Sequence, residues 1–171
     1  NIVYNEKFFI AASHQSMFET FYLQTIFNAP VFILKKELLQ IPIFGWYLKK
    51  IGSISINRNK TTKDNLEFFE HISKIVANSD RPIIIFPQGT RVLPSERPKC
   101  KKGASRIYER LNIVCQPVAI NSEHVWPKNE LKSINRIITV SILRPINPGL
   151  EKKDFLEDLE NKIYAELNLL N

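Results

Sequence analysis

Four apolar or nearly apolar runs, 8–12, 31–34, 83–86 and 113–120, alternate along this chain with longer segments of helical composition. A buried strand needs only about four to eight such residues, and the segments between them are long enough for covering helices. The alternation therefore implies an α/β layered fold with a substantially parallel sheet. The run 83–86 follows Pro82 and is apolar throughout, as a strand covered on both faces requires. Residues 51–56 alternate apolar and small polar residues, the pattern of a half-buried strand, and another strand falls near 137–143.

The clearest helix spans 62–76. Leu66, Phe69, Ile72 and Val76 recur at helical intervals there, and Thr61, Thr62 and Asp64 supply start signals. Segments 17–27 and 104–111 are also helical in composition. An amphipathic helix from about Lys153 closes the chain and is expected to bury Leu156, Leu159, Ile163 and Leu167. Residues 92–103 hold two prolines, four basic residues and Gly103, which suits a mobile basic loop. With no internal repeat and no linker, a single domain over 1–171 is expected.

A chain of 171 residues with 44% hydrophobic content can close a real core. Its formal net charge of +7 favours anionic partners: nucleic acid, anionic lipid headgroups or phosphorylated substrates. Cys100 and Cys115 match no metal-ligand spacing, and none of the three histidines is paired at metalloprotease spacing. No metal site and a reducing compartment are the expectation. No apolar run approaches the ~18–20 residues that span a bilayer. No signal peptide is visible, and the chain opens on Asn1.

Two motifs carry chemistry. In Ser13-His14-Gln15-Ser16-Met17-Phe18-Glu19, a histidine base stands five residues before a carboxylate. On one continuous helix that spacing turns the two side chains about 140° apart. They meet only if His14 lies in the turn after a strand and Glu19 in the first turn of the next helix. Glu19 would then fix the imidazole tautomer and stabilise the imidazolium. Ser16-x-x-Glu19 is equally a capping box, which satisfies backbone donors at a helix start.

The second motif, Phe86-Pro87-Gln88-Gly89-Thr90-Arg91, follows the strand at 83–86, where an open α/β sheet places its ligands. Gly89 permits a tight path, Thr90 offers a hydroxyl, and Arg91 can grip a phosphate. Read alone, it is also an ordinary turn. Gly52 to Arg58, with Asn57 and Lys60 nearby, is either a second phosphate clamp or a solvated strand end. In residues 35–50, lysine pairs flank an apolar and aromatic centre, as in a segment that dips toward lipid or a helix pair broken at Pro42 and Gly45. His71 and His124 read as structural.

Taken in order, these blocks resemble the glycerolipid acyltransferase family. Its His-x4-Asp/Glu block matches His14 and Glu19, its Gly-to-Arg block Gly52 through Arg58, and its Phe-Pro-Glu-Gly-Thr-Arg block residues 86–91. A hydrophobic strand carrying a proline matches 114–119 with Pro117. Lys35-Lys36-Glu37-Leu38 and the following Ile41-Pro42-Ile43-Phe44-Gly45-Trp46 resemble the bacterial, phosphatidate-forming members. The chain departs from the pattern at Gln88, where Glu is usual, at Ser13 in place of Asn, and at Ser55 in place of Phe.

The resemblance implies an α/β fold, a mixed, mostly parallel sheet with helices on both faces, and direct acyl transfer. His14 would deprotonate the sn-2 hydroxyl of 1-acyl-sn-glycerol-3-phosphate (lysophosphatidate) while Glu19 holds the ring. Acyl-CoA or acyl-carrier protein would be the co-substrate, with no cofactor and no metal, and phosphatidate the product. Lys35, Arg58 and Arg91 would hold the phosphate; Gln88, Gly89 and Thr90 would shape the glycerol site. It further implies a phospholipid membrane surface as partner, at the cytoplasmic face of the inner membrane. A native N-terminal membrane-binding segment, for which this chain has no room, is expected ahead of the first block.

Two rival readings stand beside this one. The acceptor could instead be glycerol-3-phosphate or a lyso-aminolipid, or the chain could be a non-catalytic basic membrane-binding domain. A nucleic-acid partner is disfavoured, because an RNA-binding sheet interleaves aromatics with basic residues. Here the aromatics cluster at 44–47.

Overall fold

The first strand shows how the chain builds two separate cores. Phe9 and Ala11 face one way and Ile10 and Ala12 the other, all fully buried. The computed structural model describes residue 2 and residues 6–56, 62–127, 133 and 135–170, with the side chains of 62–66 excepted. Strands β1 (Phe8–Ala12), β2 (Val31–Lys35), β3 (Ile54–Ile56), β4 (Ile83–Ile85), β5 (Val114–Ile120) and β6 (Val140–Ile142) form one six-stranded sheet. Its order is β3-β2-β4-β1-β5-β6. The first five strands are parallel; β6 runs antiparallel to β5. The mixed, mostly parallel sheet expected from the sequence is present.

Helices α1 (Phe18–Ile26) and α2 (Phe44–Lys50) cover one face, where Leu23, Phe27 and Leu48 pack on Ile10, Phe32, Ile84 and Val118. Helices α3 (Thr62–Asn78), α4 (Lys102–Leu111) and α5 (Lys152–Leu170) cover the other, where Ile72, Ile107, Phe155 and Leu159 meet Phe9, Ile83 and Ile85. Burying a side chain of this size contributes about 1.5–3 kcal/mol, so each face is a substantial core. Strands with both faces covered read as unbroken apolar runs, which is why the central ones were legible.

Four expectations need correction. The buried stripe of α5 is Phe155, Leu159, Ile163 and Leu167, with Leu156 only partly buried. Spacing of four keeps that stripe on one side, and Phe155 stacks on Tyr108 with centroids 3.9 Å apart. The last strand is confined to Val140–Ile142, and Ile137 is exposed.

The segment 92–103 is tied down rather than loose. Val92 N–H donates to the His14 carbonyl at 2.8 Å, and Lys101 N–H to the Pro87 carbonyl at 2.8 Å. Cys100 N–H reaches Glu160 Oε1 on α5 at 2.6 Å, and the Tyr164 hydroxyl donates to the Pro98 carbonyl. In 35–50, a 3-10 turn (Lys36–Gln40) precedes α2, and the break falls at Pro42 and Ile43, not at Gly45. Gly45 is inside α2 because a Cβ there would lie 2.3 Å from the Leu39 carbonyl oxygen.

Candidate active site

In a parallel sheet every strand ends on the same edge, so residues distant in sequence gather there. β1 ends at Ala12 and delivers His14; β4 ends at Ile85 and delivers 86–91; β2 ends at Lys35; β5 ends at Ile120, just before Ser122. Ser13 clips two of these ends together: its Oγ accepts from Ile120 N–H at 2.8 Å.

His14 stands in the turn between β1 and α1, and Glu19 in the first turn of α1. That arrangement brings His14 Nδ1 to 3.2 Å from Glu19 Oε2 despite the five-residue spacing. Glu19 is wholly buried and heavily solvated by donors: Gln15 N–H at 3.2 Å, Ser16 N–H at 3.1 Å, and the Ser122 hydroxyl. Ser16 Oγ accepts from Phe18 N–H at 3.0 Å. The capping reading and the catalytic reading are thus both realised by one carboxylate. These donors hold the carboxylate in one orientation.

The imidazole is fixed from a second side by Phe86, whose ring stacks on it with centroids 4.0 Å apart and an 18° tilt. With Nδ1–H given to Glu19, Nε2 is the nitrogen left for a substrate. The histidine borders a cavity of about 220 Å³ whose wall also holds Lys35, Gly89, Thr90 and Arg91, with Leu38, Phe44 and Leu48 opposite. Among the described residues no carboxylate pairs with Lys35 or Arg91. A second groove of about 340 Å³ between α3 and α4 shares Ile33, Leu34, Phe86 and Gly89 with the first. Its rim carries Lys101 and Arg106.

The turn Phe86–Gly89 closes by Gly89 N–H donating to the Phe86 carbonyl at 2.9 Å, and Gly89 sits at φ +75°, where glycine is favoured. Gln88 departs from the expected arrangement. Its side chain is 2% exposed, does not line the cavity before His14, and reaches instead toward the Tyr164 hydroxyl on α5. An amide is cheaper to bury there than a carboxylate.

Arg58, with Asn57 and Lys60, lies outside the described residues. Gly52, from the same block, has a packing role: at φ +78° its missing Cβ leaves room for Arg81, which donates to the carbonyls of Ala29 and Ile51. Sequence reasoning missed Ser122 and the stacking of Phe86. The position of Ser122 directly after a strand that neighbours β1 was the available signal.

A histidine held by a buried carboxylate, facing a cavity lined by Lys35 and Arg91 at the carboxyl edge of a sheet, is an arrangement able to support base-catalysed group transfer. The sequence model of the Acyltransferase family matches residues 1–121, and the chain belongs to that family. It is similar to the 1-acyl-sn-glycerol-3-phosphate acyltransferase of Pseudomonas aeruginosa, 32% identical over 119 residues covering 70% of this chain and 46% of that protein. The Helicobacter pylori protein of the same name is 29% identical over 160 residues, 92% of this chain and 67% of that one. The chain therefore spans about half to two thirds of these relatives' length. Its fold is similar to the crystal structure of the 1-acyl-sn-glycerophosphate acyltransferase PlsC from Thermotoga maritima. The TM-score is 0.79 at 21% identity, over all of this chain and 69% of that one.

Proposed function

We propose that this chain catalyses transfer of a fatty acyl group to the sn-2 hydroxyl of 1-acyl-sn-glycerol-3-phosphate, giving phosphatidate for phospholipid synthesis. The donor is a thioester, acyl-CoA or acyl-carrier protein. The observation that carries this reading is the His14–Glu19 pair bordering a cavity shared with Lys35 and Arg91. The names of the relatives support the acceptor class.

In this reading His14 Nε2 takes the hydroxyl proton as the oxygen attacks the thioester carbonyl. The tetrahedral adduct collapses with cleavage of the carbon–sulfur bond, and the imidazolium returns the proton to the departing thiolate. A base positioned this way contributes about 10²–10⁴ in rate. Lys35 and Arg91 hold the phosphate, Gly89 and Thr90 shape the glycerol pocket, and the neighbouring apolar groove accepts an acyl chain. The reading puts the protein at the cytoplasmic face of the inner membrane, held peripherally, where its lipid acceptor resides.

The test is thiol release from acyl-CoA with lysophosphatidate in detergent, for the wild type and His14→Ala. Lysophosphatidate-dependent release that drops about 10²–10⁴-fold in the variant supports the reading. Release that is independent of His14, or silence with acyl-CoA and acyl-carrier protein across glycerol-3-phosphate and lyso-aminolipid acceptors as well, removes it.

A further inference from the structure

Resting on that reading, a lipid acceptor must pass from a bilayer into the cavity before His14, and one face of the molecule is shaped for that contact. Ile43 is 85% exposed and Trp46 64%, with Ile41 exposed beside them. The exposed Phe21 and Tyr22 of α1 extend the patch, since Phe21 lies with its ring 6.2 Å from Phe44 and 5.6 Å from Tyr47. Scattered apolar side chains on a surface are ordinary; a contiguous aromatic patch is not.

The backbone at its tip is also unusual. Ile43 has φ 63° and ψ −55°, and Phe44 N–H donates back to the Pro42 carbonyl at 2.6 Å. This is the rarer, strained hand of γ-turn, occupied by a β-branched residue. Nothing in the fold compensates through the side chain, which points into solvent. Strain of this kind persists where the surrounding structure imposes it, and it clusters at functional positions. Here Gly45, locked on the Leu39 carbonyl, and Pro42 impose it.

Charge completes the picture. The same segment carries Lys36, Lys49 and Lys50, all exposed, against one carboxylate, Glu37, in 35–50. Lys50 Nζ sits 4.8 Å from the Trp46 ring centroid, so cation and indole share one level. The same segment supplies Leu38, Phe44 and Leu48 to the cavity wall.

We propose that this face, with Ile43 and Trp46 at its tip and Lys36, Lys49 and Lys50 in the same segment, docks on an anionic phospholipid bilayer. Ile43 and Trp46 enter the headgroup–acyl boundary, the lysines meet lipid phosphates, and the cavity opens at headgroup level. The like charge of these lysines disfavours a second copy of this chain as the occupant.

Cosedimentation with phosphatidylcholine vesicles, with and without phosphatidylglycerol, tests the proposal, together with quenching of tryptophan emission by acyl-brominated lipid. The expected result is salt-sensitive binding to the anionic vesicles, with quenching that Trp46→Phe removes. Lys49→Glu with Lys50→Glu abolishes the preference for anionic lipid. Ile43→Gly is the discriminating variant: vesicle affinity falls about tenfold, while the melting temperature holds or rises because the positive φ is relieved.

Turnover of monomeric short-chain lysophosphatidate without vesicles stays unchanged in these variants. A wild type silent in that assay sinks the acyl-transfer reading and leaves the docking result standing. Absence of vesicle binding, quenching indifferent to Trp46→Phe, or self-association lost in Trp46→Phe overturns the docking proposal.

Discussion

Ser122 gives its hydroxyl proton to Oε1 of Glu19 from a turn 103 residues further along the chain. The contact joins the end of β5 to the start of α1 and finishes the donor set around the carboxylate that holds His14. Hydrogen bonds to a buried charge contribute about 1.5–3 kcal/mol. Ser122→Ala should lower stability by about that amount. It should also reduce kcat severalfold while leaving KM for lysophosphatidate near its wild-type value. Denaturant titration and steady-state kinetics on the same preparation check both parts.

Glu19→Gln keeps the shape of the side chain and removes the charge. The amide keeps one accepting oxygen and sets an NH2 in place of the other, so it cannot accept from the imidazole and from the backbone N–H groups of Gln15 and Ser16 at once, and the hold on the ring tautomer weakens. A kcat fall of about 10²–10⁴ is expected, comparable to loss of the base itself. His14→Ala combined with Glu19→Gln should cost little more than either alone, because the two act as one unit.

Arg91 borders the cavity at some distance in sequence from the base. Arg91→Ala should raise KM for lysophosphatidate about 10–100-fold, with a smaller effect on kcat, and should barely change turnover of an acceptor that lacks the phosphate. Arg91→Lys restores part of the loss, since a point charge replaces a bidentate fork. Equal damage with charged and uncharged acceptors would assign Arg91 to folding instead.

Gly45→Ala pits two effects against each other. Alanine is better in a helix by about 1 kcal/mol. Its Cβ, however, would stand 2.3 Å from the Leu39 carbonyl, a backbone atom that cannot rotate away. Overpacking against backbone costs about 1–3 kcal/mol. A net loss is expected, seen as a lower urea midpoint at unchanged slope.

Burial, with the Glu160 carboxylate adding to it, pushes the Cys100 thiol up to about 12. Burial likewise pushes the Tyr164 phenol up to about 12, with Cys100 and Glu160 adding to it while Gln88 and Arg97 oppose. Buried Cys115 is raised in the same direction. Below pH ~7.5 neither the folded nor the unfolded chain ionises these groups, so stability is insensitive to them. Between pH ~8 and 12 the unfolded chain releases protons that the folded one keeps, and stability falls as pH rises. Thermal melts from pH 7 to 11 should show a plateau followed by that decline. Native Cys100 and Cys115 should resist thiol reagents at pH 8 and react on unfolding.

Much of the site was legible because its parts are local. His14 and Glu19 are five residues apart, and a strand, a turn and a helix start are enough to bring them together. The turn at 86–91 announces itself by Pro87 and Gly89 after an apolar run. Gln88 was misjudged because a motif does not reveal which way each side chain points; α5, far downstream, supplies the Tyr164 that draws it inward. The mobility expected of 92–103 followed from its composition, which carries no record of the carbonyls and of Glu160 that secure it.

By itself, the sequence determined the α/β alternation, the apolar strands and the local meeting of base and carboxylate. These depend on side-chain periodicity and covalent spacing, which are properties of short stretches. Only the tertiary structure decided that β5 neighbours β1, so that Ser122 reaches Glu19, and that β2 and β4 pair, so that Lys35 shares a cavity with Arg91. It also decided that Ile43 and Trp46 lie outside rather than within the core. Strand order is set by the joint burial of both faces of the sheet, a sum over contacts distant in the chain that no local pattern encodes.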